Sequence, residues 1–292
     1  MDGVLVIDKP QGLTSHDVVA VARRTLGDKR IGHTGTLDPL ATGVLPLAIG
    51  RATRLVRFLT ASDKDYDATI LLGLTTDSYD VSGTETRRTG LAPSHDALLA
   101  AIETLSGAYL QRPPPFSAKK VEGRRAYRLA RMGQPVTLTP LPVHVPRADL
   151  IEFAGRRARV SLTCSAGFYV RSFAHALGEL VGTGACLEAL RRTRSGEFGL
   201  DVAISMAQLQ DGSGAGARLV ALEGLLPRFP AVTLTDRGRG HVSHGRELDS
   251  EDYGDRPLDS AWVRLFDDAG ALVALATPGH AHGSLHPSVV LI

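Results

Sequence analysis

The chain has 292 residues, 43% of them hydrophobic and 22% charged, proportions of an ordinary soluble globular protein whose length calls for one large domain and a small companion. A formal net charge of +2 excludes a global basic excess as the argument for a nucleic-acid partner. Two cysteines, Cys164 and Cys186, without CxxC or zinc-type Cys/His spacing, speak against a disulfide framework and a zinc module and fit a reduced compartment.

The N-terminal MDGVLVIDKPQG has an early acid and only a short apolar run, unlike a signal peptide. No stretch approaches a membrane span, so a cytoplasmic location is expected. Gly3–Ile7 reads as a strand entering the turn Asp8–Gly12. Ser15 is placed to cap a helix carrying Val18, Val19, Ala22 and Leu26 on one face and stopped at Gly27. Residues 32–50 are Gly- and Pro-rich yet hold many apolar side chains, the mark of a loop held against the core. Ala52, Leu55, Val56 and Leu59 follow at helical spacing. Residues 66–73 read as a strand, Leu98–Leu105 as a helix after Ser94, residues 158–164 as a strand, and Val170–Val181 as a helix. Strands and helices alternate irregularly, which predicts an α+β fold with a mixed sheet and flanking helices.

Two shifts in composition divide the chain further. Residues 112–159 hold eleven Lys/Arg against three acids, punctuated by prolines. Residues 230–292 carry five Arg against nine acids and read as short strands and turns, a separate small β-rich domain. The catalytic domain is expected over 1–225, with a basic insert over about 112–147.

The most informative stretch is GHTGTLDPLATGVLPLAIG. Gly32, Gly35 and Gly43 permit tight turns and close approach, and Pro39 stiffens the chain just after Asp38. Such a loop presents one carboxylate rigidly against an apolar floor, as a positioned nucleophile or base requires. An Asp-Pro turn in which Asp38 merely bonds nearby backbone has the same local signature. A phosphate-cradling loop is less consistent, since neither GxxxxGK[ST] nor GxGxxG is present.

KPQGLTS (Lys9–Ser15) and GHTGTLDPLATGVLPLAIGRAT (Gly32–Thr53) resemble the two N-terminal motifs of the TruB family of pseudouridine synthases. The likeness continues through DKDYDATILLG (Asp63–Gly73), PPPFSAKKVEGRRAYRLAR (Pro113–Arg131) and CSAGFYVRSFAHALGELVGTGACLEALRRTRSGEF (Cys164–Phe198), in the family's order. Members isomerise the T-loop uridine of tRNA, conventionally position 55. The resemblance implies a pseudouridine-synthase-type, largely antiparallel mixed sheet and no cofactor or metal. It further implies tRNA as partner through its T arm, no guide RNA and, by default, a monomer.

Carried over position by position, Asp38 resembles the essential aspartate. Tyr66 matches the tyrosine that stacks on the target base, a candidate for late proton removal. Arg171 matches the arginine paired with the aspartate, where paired hydrogen bonds would hold the carboxylate ionised. Tyr169 and Leu190 fall where the family closes the base pocket, and Lys9 and His33 where it supports the active-site loop or the RNA. Arg124, Arg125 and Arg128, with Arg131, have spacings that would put several on one helical side of a cationic arm for RNA phosphates. A solvated surface loop is the plainer reading of that charge. Whether Asp38 first attacks C1′ or removes a ribose proton stays open.

The C-terminal stretches Leu234–Leu248, Val263–Ala276 and Leu285–Ile292 resemble a PUA domain, although the excess of acids weakens its grip on phosphate. His280, His282 and His286 read as turn histidines more readily than as metal ligands. Two other functions stand beside the enzyme. One is a non-catalytic tRNA-binding or remodelling protein on the same scaffold. The other is a carboxylate-pair glycosidase, for which Asp63, Asp65 or Asp67 would have to supply the second acid.

Overall fold

A computed structural model describes residues 1–117, 119–121, 123–132, 134, 138–254 and 260–292, without the side chains of residues 120, 121, 125, 127, 130 and 131. Strand β1 (Gly3–Lys9) is a β-branched run buried along nearly its whole length, as befits a central strand covered on both faces. In helix α1 (Ser15–Leu26) the N-cap is Thr14, one residue earlier than expected: its hydroxyl accepts from the Asp17 N–H, and Asp17 closes a capping box. The hydroxyl of Ser15 is committed elsewhere. Gly27, at φ 66°, ends the helix as the sequence predicts.

The Gly- and Pro-rich stretch departs most from expectation. It forms β2 (Ile31–His33) and β3 (Thr42–Ile49), leaving only residues 34–41 as loop. β3 lies inside the sheet with almost every residue buried, so it shows no alternation to betray it. Pro46 is accommodated opposite Val6, and its carbonyl accepts from the Thr34 N–H at 3.1 Å. A 3-10 turn (Gly50–Leu55) and the short α2 (Val56–Thr60) replace the single helix expected next.

β4 (Lys64–Leu72) keeps one side buried, and β5 (Leu74–Thr76) pairs with β6 (Glu85–Arg88) beyond it. α3 (His95–Thr104) is capped by Ser94, as expected. β7 (Gly107–Gln111) pairs with β10 (Leu141–Val145). The basic insert between them holds the pair β8 (Lys120–Val121) and β9 (Arg124–Arg125), then α4 (Ala126–Arg131). Arg124 and Arg125 therefore lie on a strand ahead of the helix, which carries only Arg128 and Arg131 of the four arginines. Gly123, at φ 80°, turns the chain between β8 and β9.

The remaining elements of the large sheet are β11 (Arg147–Ala154), β12 (Arg157–Cys164), β13 (Ala185–Ser195), β14 (Phe198–Gly199), β15 (Ile204–Ser205) and β16 (Val220–Ala221), with helices α5 (Val170–Leu180) and α6 (Met206–Gln210). The strand order is β11-β12-β4-β13-β3-β1-β15, with β2 on β3, β14 on β13 and β16 on β1. Only β13–β3 and β1–β15 run parallel within it, so the sheet is mixed and largely antiparallel, the α+β class read from the sequence. β17 (Ala231–Thr233), α7 (Asp236–Ser243), α8 (Ser250–Tyr253), β18 (Val263–Phe266), β19 (Leu272–Pro278) and β20 (Leu285–Val290) follow, the strands forming a second sheet in that order.

The two faces of the large sheet have different tasks. On one, Leu5, Ile7, Leu45 and Leu47 pack with α1, α3 and α5 in a core that reaches Leu37, Tyr66 and Leu190. On the other, Val4, Val6, Val44 and Ala48 pack against Leu272, Leu275 and Leu291 of the C-terminal region. Phe58 meets Trp262 edge-on at 4.6 Å, and such an aromatic pair adds about 0.5–1.5 kcal/mol to its area burial. Arg51 donates to the Leu291 carbonyl at 2.7 Å. The C-terminal sheet thus backs the strands whose opposite face carries the loop of Asp38. No helix among the described residues is long and apolar enough to cross a membrane.

Candidate active site

Residues 34–41 cross the edge of a cleft of about 710 Å³, lined by Asp38, Tyr66, Tyr169, Arg171 and Leu190 among others. Three contacts stiffen this loop. The Ser15 hydroxyl accepts from the Leu37 N–H at 2.8 Å and donates to the Leu37 carbonyl at 3.0 Å, so one buried side chain satisfies both backbone groups beside Asp38. The Gly12 N–H donates to the Pro39 carbonyl at 2.8 Å, and the Ala41 N–H to that of Asp38 at 3.0 Å. At the loop's far end Gly43 has φ +99°, and a Cβ there would sit 2.2 Å from the Arg192 carbonyl oxygen. Only glycine lets β3 approach β13 so closely.

The Asp38 carboxylate meets a guanidinium, so its side chain does not serve as a local turn brace. Arg171 Nε forms an ion pair with Asp38 Oδ2 at 2.9 Å, with the arginine side chain 8% exposed and the aspartate 42%. The sequence reading expected paired hydrogen bonds to Asp38, and the structure shows instead an ion pair through one guanidinium nitrogen. The other arms of Arg171 donate to the carbonyls of Ser78, at 3.1 Å, and Phe116, at 3.0 Å. Arg171 is therefore seated by two separate segments and offers its remaining edge to the Asp38 carboxylate.

Asp80, missed in the sequence, stands beside the same guanidinium with its Oδ2 3.7 Å from Arg171 Nε. It is 5% exposed, and its carboxylate accepts from the hydroxyl of Ser78 at 2.8 Å and the N–H of Ser82 at 3.0 Å. The nearby acids weighed earlier are placed otherwise. Asp65 is bound by Arg194 at 2.6 Å, Asp67 is exposed, and none of Asp63, Asp65 and Asp67 lines the cleft.

Tyr66 comes from β4 and Leu190 from β13, both 9% exposed and both at the cleft. Burial pushes the Tyr66 phenol above its usual range, so it is a hydroxyl at neutral pH. Tyr169 is the N-cap of α5, and the side-chain amide of Gln111 clasps its backbone, accepting from its N–H at 2.8 Å and donating to its carbonyl at 3.1 Å. Phe116, Phe168 and Val170 extend the apolar wall. The cleft therefore combines two carboxylates, Asp38 and the buried Asp80, with a seated guanidinium and an aromatic floor, a shape suited to a planar ring bonded to a polar sugar.

Two predicted residues stand behind this cleft. Lys9 is fully buried, and its ammonium donates to the carbonyls of Pro10, at 2.9 Å, and Leu13, at 2.8 Å. Burial lowers its pKa to about 8, and nearby Asp38 opposes that fall. It braces the turn beneath the loop. His33 is half-buried, with its pKa pushed down to about 4 by burial. Its ring lies 5.3 Å from that of His16, which does line the cleft. In the insert, Arg124 and Arg128 are exposed, whereas the side chain of Arg125 lies outside the described residues. His280 bonds Glu247, and no cluster of metal-ligating side chains occurs among the described residues.

The chain matches a family model described as TruB family pseudouridylate synthase (N terminal domain) over residues 23–170. It matches another, described as tRNA pseudouridylate synthase B C-terminal domain, over residues 171–222. It is 44% identical to a tRNA pseudouridine synthase B of Solibacter usitatus, with each chain covered in full. It is 40% identical to the protein of that name from Mycobacterium tuberculosis strain H37Rv, over 96% of this chain and 97% of the relative. Among solved structures, the archaeal box H/ACA sRNP Nop10–Cbf5 complex is similar with a TM-score of 0.74 and 26% identity. That match covers 99% of this chain and 86% of the other.

Proposed function

The chain belongs to the TruB family of pseudouridylate synthases, and from that premise we propose that it isomerises a uridine of tRNA to pseudouridine, at T-loop position 55. The observation that carries the reading is the meeting of Asp38, Arg171 and Tyr66 in one cleft, delivered by a loop, a helix and a strand distant in sequence.

The chemistry follows from what each group offers. A uridine drawn out of its stack loses about a few kcal/mol, and stacking on an aromatic such as Tyr66 returns roughly 1–3 kcal/mol of it. Arg171 pairs with the Asp38 carboxylate and aims it at the sugar. The N1–C1′ bond breaks with its electron pair on uracil, the ring turns, and C5 bonds to C1′. The C5 proton is then lost and N1 gains one, so atoms balance without a co-substrate. Tyr66 is the candidate for taking the C5 proton, and it must first give up its own phenol proton, a step that its burial opposes.

In this reading Tyr169 and Leu190 close the base pocket, Lys9 and His33 support the loop, and Arg124, Arg125 and Arg128 hold tRNA phosphates. Residues 1–225 form the catalytic domain and residues 230–292 a PUA-like RNA-binding unit in a cytoplasmic monomer that uses no guide RNA. The test is a T-arm transcript tritiated at uridine C5, incubated with the protein alone. Tritium release by the parent and none by Asp38→Asn, with RNA binding retained, is the expected result. Binding without release by the parent would favour a non-catalytic tRNA-binding role instead.

A further inference from the structure

Arg192 is among the largest side chains that the fold buries completely, 1% exposed, and the mechanism above makes no use of it. Its Nε donates to the Val44 carbonyl at 2.7 Å and a terminal nitrogen to the Gly35 carbonyl at 3.1 Å. Gly35 and Val44 are the two roots of the loop that carries Asp38. On its strand Arg192 stands directly across from Tyr66 in the β4–β13 pair, so both side chains leave the same face of the sheet. Its charge lies close enough to the Tyr66 phenol to favour that group's ionised form. One rigid planar fork thus ties Gly35, near the start of the catalytic loop, to Val44, in the strand that follows it, directly beside the aromatic floor.

Its surroundings make a purely structural role a poor account. Among the described residues no carboxylate forms an ion pair with Arg192, whereas its neighbours on β13 are paired, Arg191 with Asp8 at 2.8 Å and Arg194 with Asp65 at 2.6 Å. Lys9 and Lys64, buried at 0% and 6% exposure, lie near it and donate to backbone carbonyls. His33 and Cys164 also lie within its field, while Asp38 and Asp17 face this cluster at Lys9 and Asp63 faces it at Lys64. Burying a cation without a counter-ion opposes folding, and an apolar side chain of similar volume fills such a place at lower free energy.

Resting on the pseudouridine-synthase reading, we infer that Arg192 is a positioning residue for the reaction: its guanidinium registers both roots of the Asp38 loop against the Tyr66 hydroxyl. It touches no substrate. Its contribution is to the geometry in which the carboxylate and the phenol approach the uridine from fixed directions.

The test compares the parent, Arg192→Met and Arg192→Lys on the C5-tritiated T-arm transcript under single-turnover conditions, with RNA affinity and melting temperature measured on the same preparations. Arg192→Met leaves the Val44 and Gly35 carbonyls without this donor, so its melting temperature should fall by no more than about 10 °C, and it should still fold and bind RNA within threefold. Its turnover should nevertheless fall by tenfold or more. Arg192→Lys keeps the charge but loses the fork, and should also fall by tenfold or more. In a Tyr66→Phe background, where the phenol oxygen is gone, Arg192→Lys should cost less than a third of that factor. A loss below tenfold in Arg192→Lys overturns the inference, as does a loss in Arg192→Met that merely follows lost stability or RNA binding. If Arg192→Met does not fold, the lysine variant and its double-mutant cycle decide. An inactive parent would instead refute the underlying function.

Discussion

Replacing Arg171 by lysine tests how the Asp38 carboxylate is held. The parent guanidinium makes three contacts, an ion pair with Asp38 Oδ2 at 2.9 Å and hydrogen bonds to the Ser78 carbonyl at 3.1 Å and the Phe116 carbonyl at 3.0 Å. A lysine ammonium keeps the charge but ends short of this fork, so about two of the three contacts are lost. Each is worth about 1 kcal/mol net, or somewhat more where a buried carbonyl is left unpaired, giving roughly 2–3 kcal/mol of lost stability. At about 2–4 °C per kcal/mol for a chain of this class, the melting temperature should fall by roughly 5–10 °C.

The larger effect is on rate. Asp38 is 42% exposed and loses its fixed orientation, and a displacement of about 1 Å costs on the order of 100-fold in turnover. RNA affinity should change by less than threefold, because Arg171 is buried behind the carboxylate. Thermal melting, filter binding and single-turnover tritium release read the three quantities separately. A variant that loses the predicted stability but keeps its rate within threefold would refute the claim that Arg171 aims Asp38.

Further consequences follow from the same geometry. Ser15→Ala removes the side chain joined to both backbone groups of Leu37 and should cost roughly 1–3 kcal/mol in a denaturant titration, with a slower turnover. Gly43→Ala drives a Cβ to 2.2 Å from the Arg192 carbonyl at a positive φ, and should cost about 3 kcal/mol or more, read as loss of folded protein or a greatly lowered melting point. His33 has a folded pKa of about 4 against an ordinary 6.5, so between these values the unfolded chain binds more protons. Stability should therefore fall as pH drops from 6.5 to 4, and the parent-minus-His33→Asn difference should carry that slope. A difference flat across this window would place the ring in solvent.

How much of this was legible depended on whether local composition carries the function. The block around Asp38 was legible because its glycines and Asp-Pro announce a rigid loop whatever packs on it. The strand within it was not: β3 is buried along nearly all its length, shows no alternation, and contains glycine and proline that usually mark a loop. Asp80 was hidden because an acid in a Ser/Gly-rich turn reads as surface, and only the fold brings it to Arg171. The run Arg191-Arg192-Thr193-Arg194 carries no local sign of which arginine is buried. Its strand register, with Arg191 and Arg194 paired to acids and Arg192 turned inward, appears only once β4 and β3 are set beside it. The basic insert was legible as charge and misread as shape, because Arg124 and Arg125 are held in a strand pair that turns at Gly123 and the short helix begins only at Ala126.

The central claim is that Asp38, seated by Arg171 in this cleft, converts a T-loop uridine of tRNA to pseudouridine unaided. Unmodified tRNA transcript incubated with the purified chain and no other component, then mapped by carbodiimide adduct formation and primer extension, tests it directly. The account predicts a single new stop at the T-loop uridine with the parent and none with Asp38→Asn. No stop with the parent, or an undiminished stop with Asp38→Asn, would contradict it.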